Sequence, residues 1–330
     1  MSLRQLINRG LCVGRLILAW FASMPAAWWF FFSRRVPAPL KIAYLTDINS
    51  MALAVPASPR VVRRRAMHWL RLRKTAQQYV SRNIFRRQGS FYDFAIRFAN
   101  PELLDATLAR GHGAIVASFH FVNHFALQFG LQRTYENVHT ILADRRALDI
   151  LPRAAYAKHV IFHHYREAGL FWRMRDVLRR NEILIVYQDV APLPDGKSDE
   201  VPFRNGLTLR VARNLTAMLS FAARTPIVPA INVSRWGTLN EIRYFEPIEP
   251  RKGESAEEYQ RRVAGTLFTL LGELVAEHPE HWEKWSLLRH HGRVLGAGDA
   301  PSPRFRIVDF ARREMLLCRV APLRIQRRAW

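Results

Sequence analysis

The sequence predicts an α/β fold: a mostly parallel central sheet flanked by helices, with an N-terminal membrane-associated helix ahead of it. Three observations carry that expectation. Continuous apolar runs of strand length recur through the middle of the chain. Segments with helical apolar spacing alternate with them, and an uncharged apolar stretch stands near the start. Strand–helix alternation is the pattern of a parallel sheet covered on both faces. Its strands read as unbroken apolar runs because both faces are buried. With 330 residues, 49% of them hydrophobic, the chain can bury a core, which excludes wholesale disorder.

Leu16 to Phe32 (LILAWFASMPAAWWFFF) holds no charge and is flanked by Arg15, Arg34 and Arg35. These 17 residues are at the short edge of what crosses a bilayer. Pro25 interrupts them, and Trp20, Trp28 and Trp29 are of the type that collects at a membrane interface. No small-residue cleavage site follows, which argues against a removed signal peptide. Residues 1–40 are read as a membrane anchor, either a re-entrant hairpin or a short span; the alternative is a buried helix of a soluble core. Arg60 to Arg87 then interleaves ten cations with Val61, Met67, Leu70, Leu72 and Tyr79, the spacing of an amphipathic helix with a cationic face.

Gly113 to Phe119 (GAIVASF), ended by His120, reads as a buried strand, and Val138 to Leu142 as a second. Leu170, Met174, Val177 and Leu178 mark a helix. Ile183 to Tyr187 is a third strand, ended by Gln188 and Asp189. Leu207, Val211, Leu215, Met218 and Ala222 keep helical spacing and predict one helix, while 189–206 reads as a loop. Ile227 to Ile231 is a fourth strand, which Pro229 moves toward an edge or a strand end. Glu241 to Phe245 is a fifth. Ser255-x-x-Glu258 is a capping box opening a helix through Ala276. The chain thus divides into an anchor (1–40), an α/β domain (41–300) and a basic C-terminal tail (301–330).

Charge and cysteine content narrow the function classes. Lys and Arg number 50 against 27 Asp and Glu, a net charge of +23, and Arg outnumbers Lys 44 to 6. Base composition of the genome accounts for part of the Arg/Lys ratio but not for the net charge. A charge this large suits an anionic partner: a phospholipid leaflet, an acidic protein or phosphorylated substrate, or nucleic acid. No helix-turn-helix, RNP or zinc-finger pattern appears, so no specific nucleic-acid partner is expected. Cys12 and Cys318 make neither a disulfide framework nor a C-x-x-C zinc site. His163 and His164 are adjacent, point in different directions and lack a ligand-spaced partner. No metal and no cofactor are expected.

In parallel sheets the chemistry sits beyond the carboxyl ends of the strands. His120 and Asp189 both occupy such ends. Asn123 is placed to donate to an oxyanion or to cap the helix beginning near it. Arg204 and Arg224 are of the type that clamps a phosphate or simply faces solvent. Asp189 is either catalytic or satisfies backbone donors in its loop. His281, His290 and His291 are expected at the surface of a closing helix.

Ser118-Phe-His120-Phe-Val-Asn123-His124-Phe125 resembles the H-x4-D/E box of the lipid A late acyltransferases, the lauroyl and myristoyl transferases of lipopolysaccharide assembly. Further segments resemble that family in order. Ala143-Asp-Arg145-Arg146 stands where the family has its R-x-x-x-N-like segment. Tyr187-Gln188-Asp189 resembles its D-Q-D, and Val201-Pro-Phe203-Arg-Asn-Gly206 its V-x-F-F-G step. Leu219 to Pro229 resembles the run leading into its LA-x4-A-x-V-V-P strand. His278-Pro-Glu280-His-Trp282 resembles its closing H-P-E-x-W, followed by Arg289-His-His291. Together these cover roughly residues 70–291.

The resemblance implies a glycerolipid-acyltransferase-like sheet and acyl transfer at the cytoplasmic face of a bacterial inner membrane. The donor would be a thioester on acyl carrier protein or CoA, and the acceptor a lipid or lipid-like molecule. His120 would be the general base, with His124 and Asp189 as further catalytic candidates. Asn123, Arg145, Arg204 and Arg224 would be the substrate-binding candidates. Independently of family, a hydroxyl nucleophile needs a positioned base, and a neutral histidine supplies one.

One position departs from the pattern. The motif acid falls at Phe125. Three readings follow: a carboxylate from elsewhere (Asp144, Asp149 or Asp189) orients His120; His124 partners it; or the site is degenerate and binds lipid or acyl groups without transferring them.

Overall fold

The computed structural model describes residues 96–122, 124–142, 160–191, 198–204, 206–213, 215–235 and 239–294. It also describes twelve positions between 47 and 72 and the backbone of three strands between 305 and 327. The predicted anchor, and with it residues 16–32, lies outside the described residues. Among the described residues no helix is long and apolar enough to cross a membrane.

Contacts divide the chain into two units. The first holds a seven-stranded mixed sheet. Its strands are β1 (Ile96–Ala99), β2 (Ala114–Ser118), β3 (Val138–Leu142), β4 (Val160–His164), β5 (Ile183–Tyr187), β8 (Ile227–Arg235) and β9 (Leu239–Tyr244). They lie in the order β1-β9-β8-β2-β5-β3-β4. Only the β8–β9 pair is antiparallel. The α/β class and its mostly parallel sheet are therefore as the alternation predicts. β2 is buried at every residue and pairs on both sides, which is why GAIVASF shows no polar alternation.

Helices cover both faces. Leu104 of α1 (Glu102–Leu108) and Leu127 and Leu131 of α2 (Phe125–Thr134) pack with Ala114, Val116, Ile183 and Ile185. Ile115, Ala117 and Leu184 alternate with those strand residues and so point to the other face. There α3 (Leu170–Arg179) and α4 (Leu215–Ala223) pack on each other. The capping box at Ser255 is formed. Its Oγ accepts from the Glu258 amide at 3.3 Å, and Glu258 accepts from the Ser255 amide at 2.9 Å. It opens α5 (Ala256–Glu277).

Two expectations are corrected here. Leu207–Ala222 is not one helix: Leu207–Ala212 is a strand, β7, and α4 begins at Leu215. Leu207, Leu209 and Val211 are buried and Arg210 is exposed. The period of two was hidden because Leu207, Val211 and Leu215 also fall four apart. Of the two places Pro229 suggests, an edge and a strand end, the edge is excluded, since β8 lies inside the sheet; Pro229 is the third residue of β8. Its nitrogen needs no ladder partner because it sits in a gap. The β9 ladder starts one residue later, at Ala230↔Tyr244, and the Ile227↔Ile248 bridge lies before it. The Pro229 carbonyl still accepts from Phe245 N–H at 2.9 Å.

The second unit, by itself, contains a small sheet of β6 (Ser198–Pro202), β7 and β10 (Gly292–Val294), with β7 in the middle. β6 falls inside the segment expected to be a loop. α6 (Trp285–His291) packs on β7. A three-stranded antiparallel sheet, Phe305–Val308, Glu314–Cys318 and Arg324–Arg327, occupies the basic C-terminal segment. The described positions of the basic stretch after Arg60 are helical, with Val61 and Arg64 exposed and Trp69 and Leu72 buried.

Polar groups also pin the far strands of the large sheet. His139 on β3 shares a 3.0 Å hydrogen bond with His163 on β4 and a 2.9 Å bond with Glu182, which Arg180 braces. His163 also stands 3.7 Å from Glu167, itself paired with Arg173. Both rings are buried, and desolvation holds both below the ordinary histidine pKa, although the glutamates pull the other way. His164 diverges, its Nδ1 accepting from the Arg166 amide at 3.4 Å.

Gly113, at the entry to β2, sits at φ +67°, and an added Cβ would meet the Glu182 and Leu178 carbonyl oxygens at 2.7 Å. Gly113→Ala should therefore cost about 2–4 kcal/mol in denaturant unfolding, from the left-handed backbone and the backbone clash together. For the buried histidines the unfolded chain takes up protons below about pH 6.5, where the folded chain still resists them. Their contribution is present above that value and is lost as pH falls toward the depressed folded pKa. Stability should drop below pH 6.5 by at most about 1.4 kcal/mol per pH unit for each ring. The slope should flatten in His139→Gln/His163→Gln, measured by urea unfolding from pH 5 to 8.

Candidate functional site

β2 and β5 pair in parallel with Ser118 opposite Tyr187. The chain leaves β2 through α2, on one face, and returns as β3. It leaves β5 and reaches β8 after α4, on the other face. Adjacent strands whose connections go to opposite faces open a crevice at their carboxyl ends, the usual place for a ligand in an open α/β sheet.

His120 stands there, two residues past β2 and half-buried. Its ring lies 4.6 Å from the Tyr187 ring, tilted by 33°, and meets the His124 ring edge to face at 4.9 Å. His124 is the N-cap of α2 and is also half-buried. The Tyr187 hydroxyl donates to the His124 carbonyl at 3.0 Å, and Gln128 Nε2 reaches that hydroxyl at 3.5 Å. The face of an aromatic ring attracts a cation lying over it, by about 0.5–1 kcal/mol at exposed sites, and Tyr187 sets such a ring beside His120. The arrangement thus suits an imidazole that gains a proton during a reaction.

The loop carrying these groups is fixed from behind. Asn232 on β8 donates through Nδ2 to the Val122 carbonyl at 2.7 Å and to Asn240 Oδ1 at 3.0 Å. The Gln188 amide donates to the Ser118 carbonyl at 2.8 Å, extending the β2–β5 ladder, and Gln188 Nε2 donates to Thr216 Oγ1 at 2.9 Å. Sequence patterns do not single out Tyr187, Gln128 or Asn232 as site residues. Tyr187 carries a signal, because it ends a strand beside His120's strand. One Asn inside a nine-residue strand and one Gln inside a helix carry none.

Phe125, at the motif-acid position, is the first residue of α2 and half-buried. Its ring lies 4.3 Å from that of His124 and 6.4 Å from that of Phe129. An apolar side chain occupies the place where the resemblance implies a carboxylate.

The remaining sequence candidates are dispersed. Asn123, Arg145, Asp144 and Asp149 lie outside the described residues. Arg224 is exposed at φ +54°, just past the end of α4. In the second unit Arg204 is half-buried, with its Nε shut from solvent and not hydrogen-bonded. Asp189, 1% exposed, accepts from the Trp282 indole at 2.8 Å. That bond belongs to an aromatic cluster in which Trp282 meets Phe203 and Trp285. His281 is not a surface residue but 4% exposed, while nothing is described of the His290 and His291 side chains. Elsewhere in the first unit a pocket of about 400 Å³, lined by Asp105, Tyr135 and Asn181, lies at the amino ends of β2 and β5. It is at the opposite end of those strands from His120.

Tyr187→Phe should cost about 1 kcal/mol in denaturant unfolding, the worth of its hydroxyl bond to the His124 carbonyl. Tyr187→Ala should cost about 3–5 kcal/mol, because a ring packed in the core is lost as well.

No family model matches the chain, and no curated protein matches it.

Proposed function

We propose that the protein is a membrane-associated acyltransferase that moves a fatty acyl group from a thioester to a hydroxyl or amine of a lipid or lipid-like acceptor. One observation carries the reading: a half-buried histidine just past the carboxyl end of β2, beside the end of β5, flanked by His124 and Tyr187.

His120 is the general base. It removes the acceptor's proton as the nucleophile attacks the thioester carbonyl carbon. The new C–O or C–N bond forms, the C–S bond breaks, and the proton passes from the imidazolium to the departing thiolate. The rings of Tyr187 and His124 hold the imidazole in place, and the face of the Tyr187 ring favours its cation. With Phe125 where the motif acid would stand, His124 takes the place of that acid as the neighbour that orients His120.

The donor is acyl carrier protein or acyl-CoA. Carrier proteins are acidic, and a net charge of +23 steers them in. The same charge suits an anionic leaflet, at about 1 kcal/mol per basic residue near the surface. Leu16 to Phe32 is the anchor, and the site works at the cytoplasmic face of a bacterial inner membrane. The sheet is glycerolipid-acyltransferase-like in this reading.

Phe125 favours a second reading: a homologue that binds lipid or acyl groups without transferring them. One experiment separates the two. Membranes carrying the full chain are incubated with acyl carrier protein or CoA thioesters and an acceptor lipid extract. Wild type should consume thioester, and His120→Ala should slow turnover by about 10²–10⁴-fold, the usual worth of a general base. Equal turnover in both would remove His120 from the reaction. Lipid binding without thioester consumption in wild type would establish the second reading.

A further inference from the structure

The second unit holds a group of titratable side chains that the proposed chemistry does not use. α5 ends at Glu277, and the turn after it reads His278-Pro279-Glu280-His281. The His281 amide donates to the His278 carbonyl at 3.0 Å, so the turn brings both rings to one side, edge to face at 4.9 Å. One ligand atom from each of His278, Glu280 and His281 lies within 4.8 Å of the other two. A fourth group joins from a distant part of the chain: His68 Nδ1 is 3.6 Å from Glu280 Oε1, and His281 Nδ1 is 3.7 Å from the same oxygen.

The scaffold around these groups is rigid. Trp69, next to His68, donates its indole N–H to the carbonyl of Trp282, next to His281, at 3.3 Å. Trp69, Trp282 and Trp285 are all essentially fully buried. The cluster is also incompletely satisfied. His278 Nε2 is shut from solvent and makes no hydrogen bond, although Glu277 Oε1 stands 3.2 Å away as an ion-pair neighbour. A buried ring nitrogen with no hydrogen bond costs about 1–3 kcal/mol unless something else occupies its lone pair. A solvated surface pair would not leave that nitrogen dry.

We propose that His278, Glu280 and His281, with His68 as the fourth ligand, form a structural site for a divalent transition ion, zinc by its ligand class. Three imidazoles and one carboxylate are ligand types zinc takes, and four of them close a tetrahedral site. Ligand atoms of such a site are roughly 3.4 Å apart, as zinc arms of about 2.0–2.2 Å require. His68 Nδ1 and His281 Nδ1 stand 3.6 and 3.7 Å from Glu280 Oε1, near that figure, and His278 offers a ligand atom within 4.8 Å of those of Glu280 and His281. With neutral histidines the bound ion leaves one net positive charge, tolerable at a half-buried position. The ion ties the helical segment around His68 to the turn after α5, alongside the indole bond that already joins them.

The test uses the full-length protein, dialysed against a chelator and then titrated with zinc. The expected result is one zinc per chain with a rise in Tm. Glu280→Gln, which keeps the side chain's volume, and His278→Ala should each weaken zinc binding by more than about 10-fold, the least that even outer-shell losses cost. Both should abolish the Tm rise. Cobalt should give tetrahedral visible bands in wild type that both variants lose. His163→Gln, remote in sequence and hydrogen-bonded elsewhere, should bind zinc as wild type does. Absence of zinc uptake in wild type, or equal affinity in Glu280→Gln, would overturn the site.

Discussion

The in-register parallel pairing of β2 with β5 is the constraint on which the candidate site rests. It sets Ser118 opposite Tyr187, so the residues that follow each strand emerge side by side. The register is strongly specified because both strands are buried. A slip of one residue would turn the inward pair of the strand that slips, Ala114 and Val116 or Ile183 and Ile185, away from Leu104, Leu127 and Leu131. Core packing thus does the aiming. The 4.6 Å distance between His120 and Tyr187 follows from apolar side chains that carry no chemistry. Hydrogen bonds finish the placement, from Gln188 to Ser118 on one side and from Asn232 to the Val122 carbonyl on the other.

The parts of this design that are legible in the sequence are those with one dominant period. β2, β3 and β5 are short apolar runs between turns, and Val138–Leu142 and Ile183–Tyr187 have the bounds the runs suggest. α3 is legible because Leu170, Met174, Val177 and Leu178 form a single buried stripe. β4 escapes a local reading because Val-Ile-Phe-His-His carries two polar residues. The burial of His163 depends on His139 and Glu167, partners invisible to a local window. β6 escapes it because Ser-Asp-Glu-Val-Pro lacks an apolar pattern. It is a strand through its pairing with β7, where Glu200 accepts from Thr208 and Ser198 from Arg210.

The site is legible in part for the same reason. His120 is visible because it interrupts an apolar run, and a polar residue ending a buried strand stands at the crevice such sheets offer to a ligand. The burial of His281 is not legible, because histidine hydropathy says little about burial. Its place beside Trp282 is set by Trp69, which bonds to Trp282 across 213 positions of the sequence. Long-range pairings of this kind leave no local trace, so they decide which histidines are dry without marking them in the chain.

The carboxylates bear on how the proposed reaction works without the motif acid. Several acidic side chains of the first unit are committed to arginine: Glu241 to Arg97 and Arg243, Glu254 to Arg262, Glu182 to Arg180. Glu254 is held at about pKa 2 by its hydrogen bond to Arg262, so it is a poor proton acceptor near neutrality. In a chain with 50 cationic residues and 27 anionic ones, a free carboxylate is scarce. An aromatic and a second imidazole beside His120 are alternatives that need none. They stabilise an imidazolium less strongly than a carboxylate does, since a ring quadrupole is weaker than a full charge. A base supported this way is better matched to a nucleophile that needs little base help as it attacks. In the proposed reaction an amine, which attacks through its lone pair and gives up its proton only afterwards, or an unusually acidic hydroxyl, meets that demand better than an ordinary sugar alcohol.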